Sequence, residues 1–313
     1  MKKILFSILW GIATIFISSS YASAFEEDID WDNEEVINTI EINENLEVSI
    51  LRDGRVKPVD IKMSENLTES ELDEILVLMG HDTDTLMYET KLAIVTSGGK
   101  APESDMYTLT VKEYDKNNQL VSKEIIDLNE VSRVPDFNGG FSTLASNISQ
   151  CAFLTGCFEG NLAISYLGKS GSNHLYRFTY NFEFPKGSNS YNDRIGLAWK
   201  GTGTKKVNSD VAYQESWNSI NKYWMPRKYF TLNKYNIYGS VYNVPSSANR
   251  FRGKYQVDVY YSNRYTGDKE IIAGNYAANW QSVVNGISIG PASINVSYSE
   301  KQYILERNFT VGR

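Results

Sequence analysis

Between Trp217 and Tyr242 cationic side chains are interleaved with aromatic rings. Tyr223, Trp224, Arg227, Lys228, Tyr229 and Lys234 form the densest part, with Trp217, Lys222, Phe230, Tyr235, Tyr238 and Tyr242 around them. Indoles and phenols stack on sugar rings, bases or headgroups, and cations beside them add attraction for an anionic ligand. The same composition also builds an ordinary twisted sheet, bulky on its inner face and soluble on its outer one. The stretch is therefore a candidate binding surface, with Tyr223, Trp224 and Tyr229 for stacking and Arg227, Lys228 and Lys234 for charge.

Other chemistries are more tightly bounded. Histidine occurs only at positions 81 and 174. Most zinc sites, and every Ser-His or Cys-His arrangement, need imidazole, so no metal site and no cofactor is expected. His81 reads as a surface loop residue beside Asp82 and Asp84, and His174 as the first residues of a strand. Glycoside hydrolysis would need two carboxylates facing each other across a cleft. Glu159, Glu183, Asp193, Asp210, Glu215, Asp258, Asp268 and Glu270 are available, with Glu183 and Asp258 on polar strand faces, but spacing alone brings no two together. Ala163 to Ser170 fits a loose phosphate-loop pattern, yet its β-branched and aromatic residues spell a strand and not a glycine nest. Asp115, Asn117 and Gln119 begin like a calcium loop, which Leu120 and Ile126 then break. The acidic run Glu26 to Glu35 has the carboxylates for weak calcium binding but is too polar to pack, and a disordered tail is expected.

The start of the chain concerns compartment. Lys2 and Lys3 precede an apolar run from Ile4 to Ile17, and Ala22-Ser23-Ala24 supplies a small-residue cleavage site, so residues 1–24 read as a signal peptide. The product is expected to be secreted, extracellular or associated with the cell surface. In an oxidising compartment Cys151 and Cys157 read as one disulfide, whose small ring stabilises by about 2 kcal/mol. The segment Phe141 to Phe158 around them is apolar and Gly-rich. It suits a pinned hairpin better than a membrane-inserting loop, so membrane contact is not the expected mode.

The whole-chain charge of −7 conceals a division. Residues 25–135 hold 27 Asp and Glu against 10 Lys and Arg, whereas residues 136–313 hold 11 against 19. Such a split permits the acidic part to dock on the basic part, or the basic part to seek an anionic surface. An exported chain that is acidic overall is a poor match for nucleic acid.

The elements that must position these residues differ between the parts. Thr68-x-x-Glu71 is a capping box, followed by Leu72, Ile75, Leu76 and Met79 on one face and Gly80 as the stop. A second helix is expected from Asp82 or Thr83 to about Thr96, ending at Gly98-Gly99. The segment Leu67 to Gly80, with Lys91-Leu92-Ala93-Ile94-Val95 and Gly98-Gly99-Lys100, resembles one that recurs near the N-terminus of secreted, mostly uncharacterised proteins of Gram-positive bacteria. Over residues 64–100 that resemblance implies a Gram-positive exported protein, and it transfers no catalytic or binding residue.

From Met106 onward the period is two. Leu109, Val111 and the 121–126 run flank a turn at Asp115 to Gln119. Tyr176, Phe178, Tyr180, Phe182 and Phe184 alternate with Arg177, Thr179, Asn181 and Glu183. Tyr255 to Tyr261, Ile294 to Tyr298 and Tyr303 to Val311 repeat the pattern, with weaker strands at 162–167, 195–199 and 229–242. The expected fold is mainly β, an antiparallel sandwich or jelly roll over residues 102–313, preceded by an acidic tail and helical hairpin at 25–101. The expected function is non-enzymatic binding of an anionic extracellular surface, such as cell-wall polymer or glycan. Two alternatives stand beside it: a secreted toxin or bacteriocin-like protein held by an acidic inhibitory leader, and a glycan-degrading enzyme with a carboxylate pair.

Overall fold

The computed structural model of the chain describes residues 29, 31–83, 86–129, 150–152, 156–185, 193–247, 250–279, 287–297 and 299–313. The expected leader at 1–24, most of the apolar segment 141–158, residues 186–192 and Trp280 lie outside them. The N-terminal part holds a 3-10 turn (Trp31–Asn33), a hairpin of β1 (Val36–Asn43) and β2 (Leu46–Leu51), and helices α1 (Ile61–Ser64), α2 (Glu69–Leu78) and α3 (Tyr88–Val95). Strands β3 (Tyr107–Tyr114), β4 (Leu120–Asp127), β5 (Gln150–Ala152), β6 (Gly156–Ser170), β7 (Asn173–Phe184), β8 (Arg194–Trp199) and β9 (Gly203–Lys205) follow. Then come β10 (Val211–Asn218), β11 (Tyr223–Trp224), β12 (Lys228–Tyr229), β13 (Thr231–Asn236), β14 (Gly239–Asn243) and β15 (Phe251–Ser262). Last are β16 (Lys269–Asn279), β17 (Ile287–Gly290), β18 (Ser293–Val296) and β19 (Ser299–Thr310).

The fold is an antiparallel β-sandwich, as the alternation requires. One sheet runs β11-β10-β15-β7-β6-β5, with β12 added to β10 and β9 to β15. The other runs β13-β14-β8-β16-β19-β3-β4. On β7 the aromatic residues 176, 178, 180, 182 and 184 all face inward, and Tyr255, Val257, Val259 and Tyr261 of β15 continue their layer. Ile195, Leu197, Trp199, Ile272, Tyr276, Tyr303, Leu305 and Phe309 meet them from the second sheet. Rings dominate this core: the Phe184 ring lies 4.9 Å from Phe251, 4.8 Å from Tyr276 and 5.9 Å from Tyr303. Such ring pairs add stabilisation beyond the apolar area they remove from water. Where a ring presses on the opposite backbone only glycine fits, and a Cβ on Gly274 would sit 2.9 Å from the Tyr180 ring.

Both outer faces are covered in part. The β17–β18 hairpin lays Ile289, Ile294 and Val296 over Ala198, Val241 and Ala277 of the second sheet. The N-terminal part forms its own small core from Leu46, Val48, Val56, Leu72, Ile75, Leu76, Met79 and Ile94, which reaches Ala163 on β6. Residues 98–101 run along β6, where Lys100 and Tyr166 exchange backbone hydrogen bonds of 3.1 and 2.7 Å. Arg55 fastens the same seam: its guanidinium donates to the Leu167 carbonyl (2.8 Å) and to Glu34 (2.6 Å), and lies 4.8 Å from the Trp31 ring.

Several local expectations are met. Thr68 and Glu71 form the reciprocal capping box, and Gly80 adopts the left-handed φ of +77°. Asp115 closes the β3–β4 turn by accepting from the Asn117 and Gln119 amides, both at 2.8 Å. We expect Thr68→Ala to cost about 1 kcal/mol by removing the cap, read as a lower denaturant midpoint at unchanged slope. An unchanged midpoint would mean the N-terminal part unfolds apart from the sandwich.

Other expectations are corrected. The second helix begins at Tyr88 and not near Thr83, and ahead of it the Leu86 amide donates to the Thr83 carbonyl. Of the acidic run, residues 31–35 are not a free tail: Trp31 and buried Ile29 anchor them and Arg55 and Arg52 pair with Glu34 and Glu35, while residues 26–28 and 30 lie outside the described residues. The histidines are buried and hydrogen-bonded. His81 Nε2 donates to the Gly99 carbonyl (2.8 Å), and His174 lies between the Tyr166 hydroxyl (3.1 Å) and Thr266 Oγ1 (2.8 Å).

Candidate functional site

The outer face of the first sheet carries the polar halves of β10, β15, β7 and β6, and strand register sets them in rows. One row is Glu215, Arg252, Glu183 and Glu159; the next is Tyr213, Lys254, Asn181 and Asn161. Beyond them Asp258 stands opposite Arg177. Alternation alone produces this arrangement, since Tyr213, Glu215 and Trp217 share one face of β10 while Ala212 turns into the core.

At the edge the chain folds back after Asn218, whose side chain accepts from the Ile220 and Asn221 amides. Lys222 takes the positive φ that closes the turn. The return brings Trp224 opposite Trp217, with the rings 5.2 Å apart and meeting edge to face at 68°. Arg250 lies 5.9 Å from the Trp217 ring and 5.1 Å from Trp224, and Arg252 lies 4.2 Å from Trp224. Two half-buried indoles are thereby flanked by two guanidiniums, with Tyr223 and Tyr229 exposed alongside.

Carboxylates hold these cations in place. Glu215 accepts from Arg252 Nη2 (2.9 Å) and Arg227 Nε (3.2 Å), and Glu183 accepts from Arg250 Nε (2.6 Å). Glu89 arrives from α3. Its Oε2 accepts from the Tyr213 hydroxyl at 2.5 Å and faces Arg227 Nη2 at 3.1 Å, while Oε1 lies 3.6 Å from Arg252 Nη2. Thr90 secures the same dock by donating to Asn181 Oδ1 at 2.8 Å. Burial by itself would raise the Glu89 carboxyl, but the Tyr213 hydroxyl, Arg227, Arg252 and Lys254 outweigh it and hold it below the usual range. Burial pulls the Lys254 ammonium down to about 8, with Arg177 adding to the fall and Glu89 opposing it. Glu159 is raised, by burial first and then by the charge of Glu183 across the strand pair.

The sequence-derived residues divide. Tyr223, Trp224, Arg227, Lys228 and Tyr229 gather along β10, through the short pairings of β11 and β12. Lys234 belongs to β13, on the edge of the other sheet, and its ammonium donates to the Ile287 carbonyl at 2.5 Å. A lysine there also discourages strand addition at an open edge. Sequence reasoning did not select Tyr213, Arg250, Arg252, Lys254 or Glu89. The alternations Tyr213-x-Glu215-x-Trp217 and Arg250-x-Arg252-x-Lys254 carried the signal for all but Glu89, which comes from a distant element.

The proposed carboxylate chemistry has little geometric support. Asp258 is committed to Arg177 at 3.0 Å, Asp193 accepts from the Tyr276 hydroxyl at 2.7 Å, and Asp210 accepts from Lys205 and Tyr242. Glu159 and Glu183 do face one another, with Arg250 held on Glu183. Among the described residues, no group of three His, Cys, Asp or Glu side chains is arranged to hold a metal ion, and no helix is long and apolar enough to cross a membrane. Register sets Cys151 opposite Cys157 on β5 and β6.

The class that fold and face define is an antiparallel β-sandwich with an aromatic and cationic edge. No family model and no curated protein matches the chain. Among solved structures it is similar to Clostridium perfringens delta-toxin, at 8% identity and a TM-score of 0.26, over 49% of this chain and 85% of that one. It is also similar to a protein described as a pore forming protein, at 8% identity and 0.27, over 48% and 89%. Likenesses at these scores carry no conclusion about activity.

Proposed function

We propose that the chain is an exported, non-enzymatic binding protein that engages an anionic extracellular surface, a cell-wall polymer or glycan. The supporting observation is the Trp217–Trp224 pair with Arg250 and Arg252 set against its rings. Sugar rings stack on such indoles, and guanidiniums at the same rim attract anionic substituents. The leader and the resemblance to secreted Gram-positive proteins supply the compartment. A Cys151–Cys157 disulfide belongs to the same reading, and alkylation with and without reductant tests it by mass.

Co-sedimentation of the mature protein with purified cell walls and with anionic liposomes, at low and high salt, tests the function. Salt-sensitive pelleting with walls is expected, since screening weakens charge attraction. Trp224→Ala should weaken it about tenfold, the size of one lost aromatic stack. Wall binding indifferent to Trp224 would remove the site assignment. Binding and leakage of liposomes without wall binding would replace the reading with the toxin alternative.

A further inference from the structure

We infer that Glu89 occupies an oxyanion subsite of the sandwich, standing in for a phosphate or carboxylate group of the external ligand. The geometry is that of a bound anion. One carboxylate from the acidic N-terminal part sits where the Tyr213 hydroxyl, Arg227 and Arg252 converge, at 2.5, 3.1 and 3.6 Å, with Lys254 5.7 Å from the centre of the Tyr213 ring. All four of these groups belong to the sandwich, on β10, β15 and the β11–β12 connection, so the receptor side is complete without α3. Charge makes the vacancy left by Glu89 costly. With Glu89 withdrawn, Arg227 and Arg252 keep Glu215 between them, while the neighbouring carboxylates Glu183 and Asp258 are engaged by Arg250 and Arg177.

Clustered cations that are partly shielded from water favour an anion, and guanidinium forks donate to carboxylate and phosphate oxygens in the same planar geometry. The subsite adjoins the indole pair directly, because Arg252 touches both Glu89 and the Trp224 ring. An anionic polymer stacked on the indoles can therefore place one charged group in the Glu89 position, displacing α3. The inference rests on the binding reading for the extracellular origin of that ligand, and the acidic part becomes an internal competitor for it.

The test is titration of the mature full-length protein with inorganic phosphate, acetate and a soluble polyphosphate, following binding by calorimetry and by rise in melting temperature. Glu89→Ala should bind phosphate at least tenfold more tightly than wild type, and Glu89→Ala with Arg252→Ala should lose the gain. Acetate in place of phosphate as the preferred small ion assigns a carboxylate ligand, and polyphosphate bound far above phosphate assigns a polymer. Equal phosphate affinity in wild type and in a folded Glu89→Ala overturns the inference. Should that variant not fold, E89Q keeps the side-chain shape and a hydrogen bond to Tyr213 and is scored in the same way. In wild type, saturating phosphate should raise hydrogen exchange over residues 86–99, and unchanged exchange there also counts against displacement. The two readings separate cleanly. Phosphate capture by Glu89→Ala without wall binding by wild type refutes the function alone, whereas Trp224-dependent wall binding with no anion gain refutes the subsite alone.

Discussion

Acidification from pH 6.5 to 4 is expected to cost the fold about 3 kcal/mol through His81 alone. The ring is buried between the helical part and the sandwich, donating to the Gly99 carbonyl. Burial lowers its pKa from 6.5 to about 4, and Arg307 opposes protonation further, although the Gly99 hydrogen bond favours it. The sign follows from proton counting. Below pH 6.5 the unfolded chain takes up a proton that the folded chain refuses until about pH 4, so stability is full above that window and falls through it. Each pKa interval of one is worth about 1.4 kcal/mol. His81→Gln retains an N–H donor but does not titrate. Denaturant unfolding of both proteins at pH 7, 5.5 and 4 should show wild type losing about 3 kcal/mol relative to the variant. Parallel curves would mean that His81 reaches water in the native state.

Asp258→Ala is expected to be at least as damaging, at about 3–5 kcal/mol, the usual loss when one partner of a buried ion pair is removed. Asp258 is 0% exposed and Arg177 5%. Arg177 Nε donates to Asp258 Oδ1 at 3.0 Å, and Ser209 caps the same residue by accepting from its amide at 3.1 Å. These side chains would face water on a bare sheet. The segment after β9 packs on them, with the Lys206 amide and the Ser209 hydroxyl donating to the Asp258 carbonyl, so the Arg177 charge stays under cover when the carboxylate is removed. Replacing both, with Arg177→Met and Asp258→Leu, should recover most of the loss, because apolar pairs of similar volume often match buried charges. Equal destabilisation in the single and double variants, measured by thermal and denaturant unfolding, would show that the pair contributes specific hydrogen bonding that packing cannot replace.

What the sequence made legible follows from how many faces each strand buries. β7 has one face on aromatic neighbours and one on polar cover, so its alternation is clean. β16 has its core face on the sandwich interior and its other face partly under the β17–β18 hairpin. Ala273, Gly274, Tyr276, Ala277 and Ala278 therefore read as an unpatterned run that by itself predicts no strand. β1 and β2 were lost differently: Ile40, Ile42, Leu46 and Val48 alternate, but the acidic residues around them suggested a tail. In the site, the cluster from Tyr223 to Tyr229 was visible because it is local. Arg250 and Arg252 arrive through β15, and Glu89 through a helix packed across the sheet, contacts that no spacing in one segment encodes. Lys234 adjoins that cluster in sequence, yet the chain crosses between sheets after β12.

The place of β19 governs when this protein can come into being. It comes last in chain order among the described strands, yet it lies in the interior of its sheet, pairing with β16 on one side and with β3, far earlier in the chain, on the other. Until residues 299–310 have emerged, β3 and β16 each lack a neighbour and the aromatic layer lacks Tyr303, Leu305 and Phe309. Closing so distant a pairing is slow in any chain. A chain emerging from a ribosome is thus an unfinished thread until this segment is out, and the sandwich assembles only after its two sheets can close around that strand.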